Sequence, residues 1–211
     1  MVTKKKIFLI PAAIIAAVLL SWLSLFVYFQ VADWGFCREV PFTEQLERLC
    51  TVHTAEHWLG SVEGFEEHRE ILEIYNNHKP LAQGYAVTAE DSWCAAFASC
   101  IAIERRLTDI TPTECSCERQ IGLWQQRNCW IENDNYMPLP GDYIYYNWDV
   151  LTNTADNTGW SDHVGIVVGT AGPFIKVIEG NKDDMVSYRI VMRGDCRIRG
   201  FGLPDYAAKL A

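Results

Sequence analysis

Basic residues are scarce in this chain. Lys and Arg number 18 against 27 Asp and Glu, a net charge of −9 over 211 residues. Three of the basic residues (Lys4, Lys5, Lys6) sit in the first 36 positions beside a single acid, Asp33, so the remainder is more acidic still. A surface of that sign gains nothing from a phosphate backbone, and no basic cluster or stacking platform interrupts it. Nucleic-acid binding is excluded as the main function. Internal repeats and low-complexity tracts are also missing, which excludes a solenoid. Histidine is rare: four of the five lie between positions 53 and 78, and the fifth is His163. Charged residues make up only 21% and hydrophobic ones 49%, so a packed core is feasible and wholesale disorder is not expected.

One long uncharged run is present. It extends from Ile7 to Phe29, directly after the three Lys. At 1.5 Å per residue it is long enough for the roughly 30 Å of bilayer hydrocarbon. Trp22, Tyr28 and Trp34 suit an outer interface. A cleaved signal peptide would place small residues late, whereas Ala12, Ala13, Ala16 and Ala17 come early. The expectation is a cytoplasmic tail over 1–6, an uncleaved transmembrane signal anchor over 7–31, and the rest of the chain outside the cytoplasm.

Residues 37–80 are charged and helix-like, with Phe65, Leu72 and Tyr75 at helical spacing, and read as a stalk or docking segment. Within them His53-Thr54-Ala55-Glu56-His57 matches a zinc-protease pattern. A third ligand on a supporting fold is missing from so short a stretch, so two solvated His are expected instead. Cys115-Ser116-Cys117 has no matching second pair for a zinc clasp. Asp149, Asp156 and Asp162 lack a regular calcium-loop spacing. No metal and no other cofactor is expected.

After Tyr85 the texture changes. Asp91 to Ile101 reads as the start of a buried helix, with Asp91 or Ser92 as N-cap. A second helix is predicted after Pro112-Thr113, running to about Arg127. Pro140-Gly141-Asp142 feeds an aromatic strand, Tyr143 to Tyr146, and a polar loop follows over Thr152–Trp160. Two apolar runs, His163–Gly169 and Phe174–Ile178, flank Thr170-Ala171-Gly172-Pro173 as a hairpin. Short strands over 186–191 and 196–203 complete an α+β pattern, helices first and then a meander sheet.

Cys94 falls at the first of these helices. Unpaired N–H groups and the helix dipole there stabilise a thiolate. Nucleophilic catalysis then needs a base held by a third polar group. His163 opens a strand and shares a face with Gly165 and Val167, and Gly165 allows a close approach beside it. On the next strand Ile175, Val177 and Glu179 share a face, so Glu179 can point toward His163; Asn181 points the same way if the strand continues. Taken singly, a buried Cys and a surface His are ordinary structural residues.

Taken in order, four blocks go further. Trp93-Cys94-Ala95-Ala96-Phe97, Pro140-Gly141-Asp142, Asp162-His163-Val164-Gly165-Ile166-Val167 and Val177-Ile178-Glu179-Gly180-Asn181 resemble the CHAP family, the cysteine, histidine-dependent amidohydrolases/peptidases. The tail Arg199 to Pro204 is similar to the family's closing strand. The resemblance implies a papain-like fold over residues 85–206, with Cys94 as nucleophile and His163 as base and then acid. It also implies Glu179 as orienter of the imidazole and Asn181 as a possible second one. The oxyanion would sit near the Cys94 backbone N–H. Family members mostly cleave amide bonds of bacterial peptidoglycan, so the implied partners are its stem peptides, with a lipid bilayer at the N-terminus. The implied location is a bacterial cell membrane. Two other readings stay open: a non-catalytic tethered domain binding wall fragments or envelope partners, and a thiol acyltransferase.

Overall fold

The structure is a computed structural model, and it describes residues 14, 17–24, 40–148 and 161–210. The chain divides into two units, Met1–Asp33 and Trp34–Ala211. In the first, residues 17–24 are helical, with exposed apolar side chains such as Leu19 and Trp22. The expected membrane span over 7–31 requires correction. No helix among the described residues is long and apolar enough to cross a membrane. Most of that segment lies outside the described residues, as does the loop Thr152–Trp160.

The second unit is α+β. Its helices are α1 (Phe42–His57), α2 (Glu66–Asn77), α3 (Cys94–Glu104), α4 (Cys117–Gln126) and α5 (Tyr206–Lys209). The strands are β1 (Trp130–Ile131), β2 (Tyr143–Tyr146), β3 (His163–Ala171), β4 (Phe174–Lys182), β5 (Met185–Met192) and β6 (Ile198–Gly202). They form one antiparallel sheet in the order β1-β6-β2-β3-β4-β5. The expected meander holds from β2 to β5. The last strand departs from it, returning past the hairpins to pair with β2 and β1 on the other side.

α3 is the central helix because its sequence, CAAFASCIAIE, is apolar on every side. A helix of that kind has no face to offer water and must be enclosed. Cys94 through Ala102 are all buried, packed with Ile71, Leu72 and Tyr75 of α2, Val52 and Ala55 of α1, and Val164, Ile166 and Ile178 of the sheet. Small residues at Ala95, Ala96 and Ala98 bring these neighbours close to the helix axis. The opposite sheet face carries a second apolar cluster that includes Ile144, Val167, Val177, Ile198 and Phe201.

Within the segment 37–80, the helices of residues 42–77 therefore share this core rather than extending from it. α1 is fastened further by an ion pair: Arg48 Nη1 donates to Asp142 Oδ1 at 2.8 Å, both side chains buried. That contact joins α1 to the Pro140-Gly141-Asp142 turn at the head of β2. The cap expected at Asp91 or Ser92 is also different. Trp93 occupies the N-cap of α3 without a side-chain hydrogen bond. Asp91 instead closes the preceding turn, accepting from the Thr88 N–H at 2.8 Å and from Tyr85 Oη at 2.7 Å.

Candidate active site

The end of α3 that carries Cys94 is set by the residue before it. The Trp93 indole N–H donates to Glu63 Oε2 at 2.9 Å, and its ring lies 4.7 Å from that of His68. Burial lowers the pKa of His68, whose Nδ1 accepts from the Gly64 N–H. Both partners come from the segment 37–80, so that segment holds the helix carrying Cys94 in place. From the sheet side, Gly180 removes the last obstacle. A Cβ there would lie 2.5 Å from Phe97 Cβ and 2.9 Å from Trp93 Cζ3, closer than atoms can pack.

His163 opens β3, paired with Tyr146 of β2. Its approach is fixed on both sides: Asp162 N–H donates to Tyr146 O, and Ser161 N–H donates to Glu118 Oε2 in the first turn of α4. The β3–β4 register, with Ile166 opposite Ile178 and Val167 opposite Val177, brings Glu179 over Gly165. A Cβ on Gly165 would be 2.7 Å from Glu179 Cγ. The bare backbone there lets the carboxylate reach His163, whose Nε2 lies 3.1 Å from Glu179 Oε2. Cys94 lies close enough to the same ring for the two groups to shift each other's pKa, the thiol downward and the imidazole upward.

Glu179 is fully buried, and a buried carboxylate needs a cation. Arg189 of β5 supplies it, with Nε at 2.8 Å from both carboxylate oxygens. The guanidinium also covers Trp148 at 4.6 Å, and Trp148 stacks on Tyr146 at 4.9 Å. Tyr146 in turn stacks with His163 at 6.0 Å. The imidazole is thus held by a carboxylate at one nitrogen and an aromatic plane along its face.

Cys94 has a second sulfur beside it. Cys117, the first residue of α4, places its Sγ 3.6 Å from Cys94 Sγ. This hydrogen bond is the largest influence lowering the Cys94 pKa. Burial opposes it, while His163 and the Val164 N–H add to it. The Cys117 thiol moves the other way, pushed up by Cys94 and by burial. For His163, burial disfavours the charge, but Cys94 and Glu179 outweigh it and raise the pKa to about 9. Both shifts run in the direction that favours a thiolate beside an imidazolium.

Among the four candidates from sequence, the structure brings together Cys94, His163 and Glu179. Asn181 is not brought in. The β4–β5 pairing shifts between Glu179 and Lys182, and Asn181 takes a left-handed backbone (φ 57°), which ends the strict alternation its expected direction relied on. Cys117, Arg189 and the Val164 N–H were not singled out by sequence reasoning. A signal existed for two of them: Cys117 lies near a predicted helix start, as Cys94 does, and a buried Glu179 requires a cation nearby.

The other candidates take structural roles. His53 and His57 are exposed on α1, while Glu56 between them accepts from Tyr188 Oη at 2.6 Å. Cys115 contacts Glu114 rather than Cys117. Asp162 accepts from the Trp148 N–H, and Asp149 and Asp156 lie outside the described residues. Among the described residues no group of three or more His, Cys, Asp or Glu is placed to hold a metal, and the seven cysteines there are free thiols. No family model, curated protein or solved structure matches this chain.

Proposed function

We propose that this protein is a cysteine amide hydrolase acting on peptidoglycan, a cell-wall amidase or endopeptidase of the CHAP type. The observation that carries the chemistry is the buried chain Cys94–His163–Glu179, with Cys94 at the start of α3. The substrate class follows from the four sequence blocks that resemble the CHAP family.

The Cys94 thiolate attacks the amide carbonyl carbon, forming a C–S bond and pushing the carbonyl electrons onto oxygen. The Cys94 backbone N–H, at the start of α3, would receive that negative charge. The C–N bond then breaks as the His163 imidazolium delivers its proton to the departing amine. His163, now neutral, takes a proton from water, the hydroxide attacks the thioester carbon, and the thiolate leaves. Glu179 stabilises the charged ring at each stage.

Muropeptides released from purified peptidoglycan by the full-length chain, identified by mass spectrometry, test this directly. Cleavage at a single type of amide bond, abolished in Cys94→Ala, is the expected result. Wild type and Cys94→Ala that bind muropeptides equally and cleave nothing would replace the reading with that of a binding domain.

A further inference from the structure

The hydrolytic steps leave the Cys117 thiol unused. Cys94 and Cys117 are each the first residue of a helix, and each is buried, so their sulfurs meet in a closed space at 3.6 Å. A disulfide bond is about 2.05 Å long, so the two atoms are roughly 1.5 Å from bonding distance. Three of the five other described cysteines have partners elsewhere: Cys100 with Glu104, Cys115 with Glu114 and Cys129 with the Arg127 carbonyl. Both helix starts are also anchored. Trp93 is tied to Glu63, and Glu118, next to Cys117, accepts from the Ser161 N–H and from Arg199.

We propose that Cys117 is a resolving cysteine for Cys94: oxidation of Cys94 by a hydroperoxide ends in a Cys94–Cys117 disulfide, which closes the site and which thiols reopen. The loss of activity rests on the hydrolase reading above; the bond itself rests on the sulfur geometry alone. In the first step the Cys94 thiolate attacks the outer oxygen of hydrogen peroxide. An S–O bond forms, the O–O bond breaks and hydroxide leaves, giving Cys94 sulfenic acid. In the second, the Cys117 sulfur attacks the Cys94 sulfur, the S–O bond breaks, and the departing hydroxide combines with the Cys117 proton as water. Two electrons pass from the pair to the peroxide, and two equivalents of an external thiol return them. The order of events follows the direction of the two shifts, down for Cys94 and up for Cys117, at sulfurs 3.6 Å apart. Without a resolving neighbour, a sulfenic acid is open to further, irreversible oxidation.

The test treats the full-length chain with one equivalent of hydrogen peroxide, alkylates the remaining thiols in denaturant, and maps the peptides without reduction. The expected result is a cross-link between the Cys94 and Cys117 peptides, loss of hydrolysis, and recovery of both thiols and activity with dithiothreitol. In Cys117→Ser, Cys94 should instead be trapped by dimedone, pass to the sulfinic acid with excess peroxide, and stay inactive after dithiothreitol. Because Cys117 also contacts the Cys94 sulfur, each protein is compared with itself before and after oxidation. Wild type carrying a sulfenic or sulfinic Cys94 beside an alkylated Cys117, or a bridge from Cys117 to a different cysteine, would overturn the proposal. A cross-link in a chain that never hydrolysed peptidoglycan would support the pair and remove the hydrolase reading instead.

Discussion

The charge state of two side chains decides what this site can do at a given pH. Cys94 loses its proton below the ordinary thiol range, and His163 keeps its own up to about 9. The competent ion pair exists between those limits. The pH profile of kcat/KM should therefore rise on the acid side with Cys94 and fall on the alkaline side through about 9 with His163. Glu179→Gln removes one of the groups that hold the proton on His163. It should lower turnover by about 10–10⁴-fold, as loss of an orienting acid does, and move the alkaline limb to lower pH. Asn181→Ala should leave that limb where it is. A reversed ranking would give Asn181 the orienting role. In the sequence, helix start, strand start and two-residue alternation give Cys94, His163 and Glu179 their directions, and the resemblance of four blocks to the CHAP family singled them out together. Asn181 was misread because a register shift between β4 and β5 is set by pairing, which a single strand's pattern does not contain. Cys117 was missed because the approach of two helix ends is a tertiary fact.

Among the elements, α1 shows how a polar helix can be integral to a core. Its Val52 and Ala55 are buried against α3, and its Arg48 is the cation for Asp142. Its sequence reads as stalk because only a few apolar residues point inward, and its strongest tie is an ion pair reaching across more than ninety residues. Burial raises the pKa of Asp142 to about 6, with Arg48 pulling the other way. Arg48→Met keeps the aliphatic stem and removes that cation, leaving a buried carboxylate unpaired. Such breaks cost about 3–5 kcal/mol. The sign follows from the carboxyl: with a folded pKa of about 6 against roughly 3.9 unfolded, the wild-type penalty of ionisation grows between those values and is constant above, whereas without Arg48 the folded pKa lies higher and the variant goes on losing stability above pH 6. Urea denaturation should find Arg48→Met much less stable than wild type at pH 8, with a smaller gap at pH 5. An equal gap at both would assign the loss to packing alone. The strands β2 to β5 lay close to their expected bounds because alternation and turn residues agree there. The return of β6 beside β2 depends on long-range pairing and was not legible in local sequence.

At the scale of the molecule, the second unit is one acidic α+β body in which the helices of residues 42–77 and the strand hairpins converge on the buried Cys94. The glycines at 165 and 180 allow that convergence: one admits the carboxylate to the histidine, the other admits α3 to the sheet. The central claim is that Cys94 becomes covalently acylated. Rapid acid quenching of the full-length chain during turnover on peptidoglycan fragments, followed by peptide mapping, measures this directly. The account expects a thioester on the Cys94 peptide, present only during turnover and missing from Cys94→Ala. An adduct on another residue, or full hydrolysis by Cys94→Ala in a preparation free of contaminating enzymes, would contradict it.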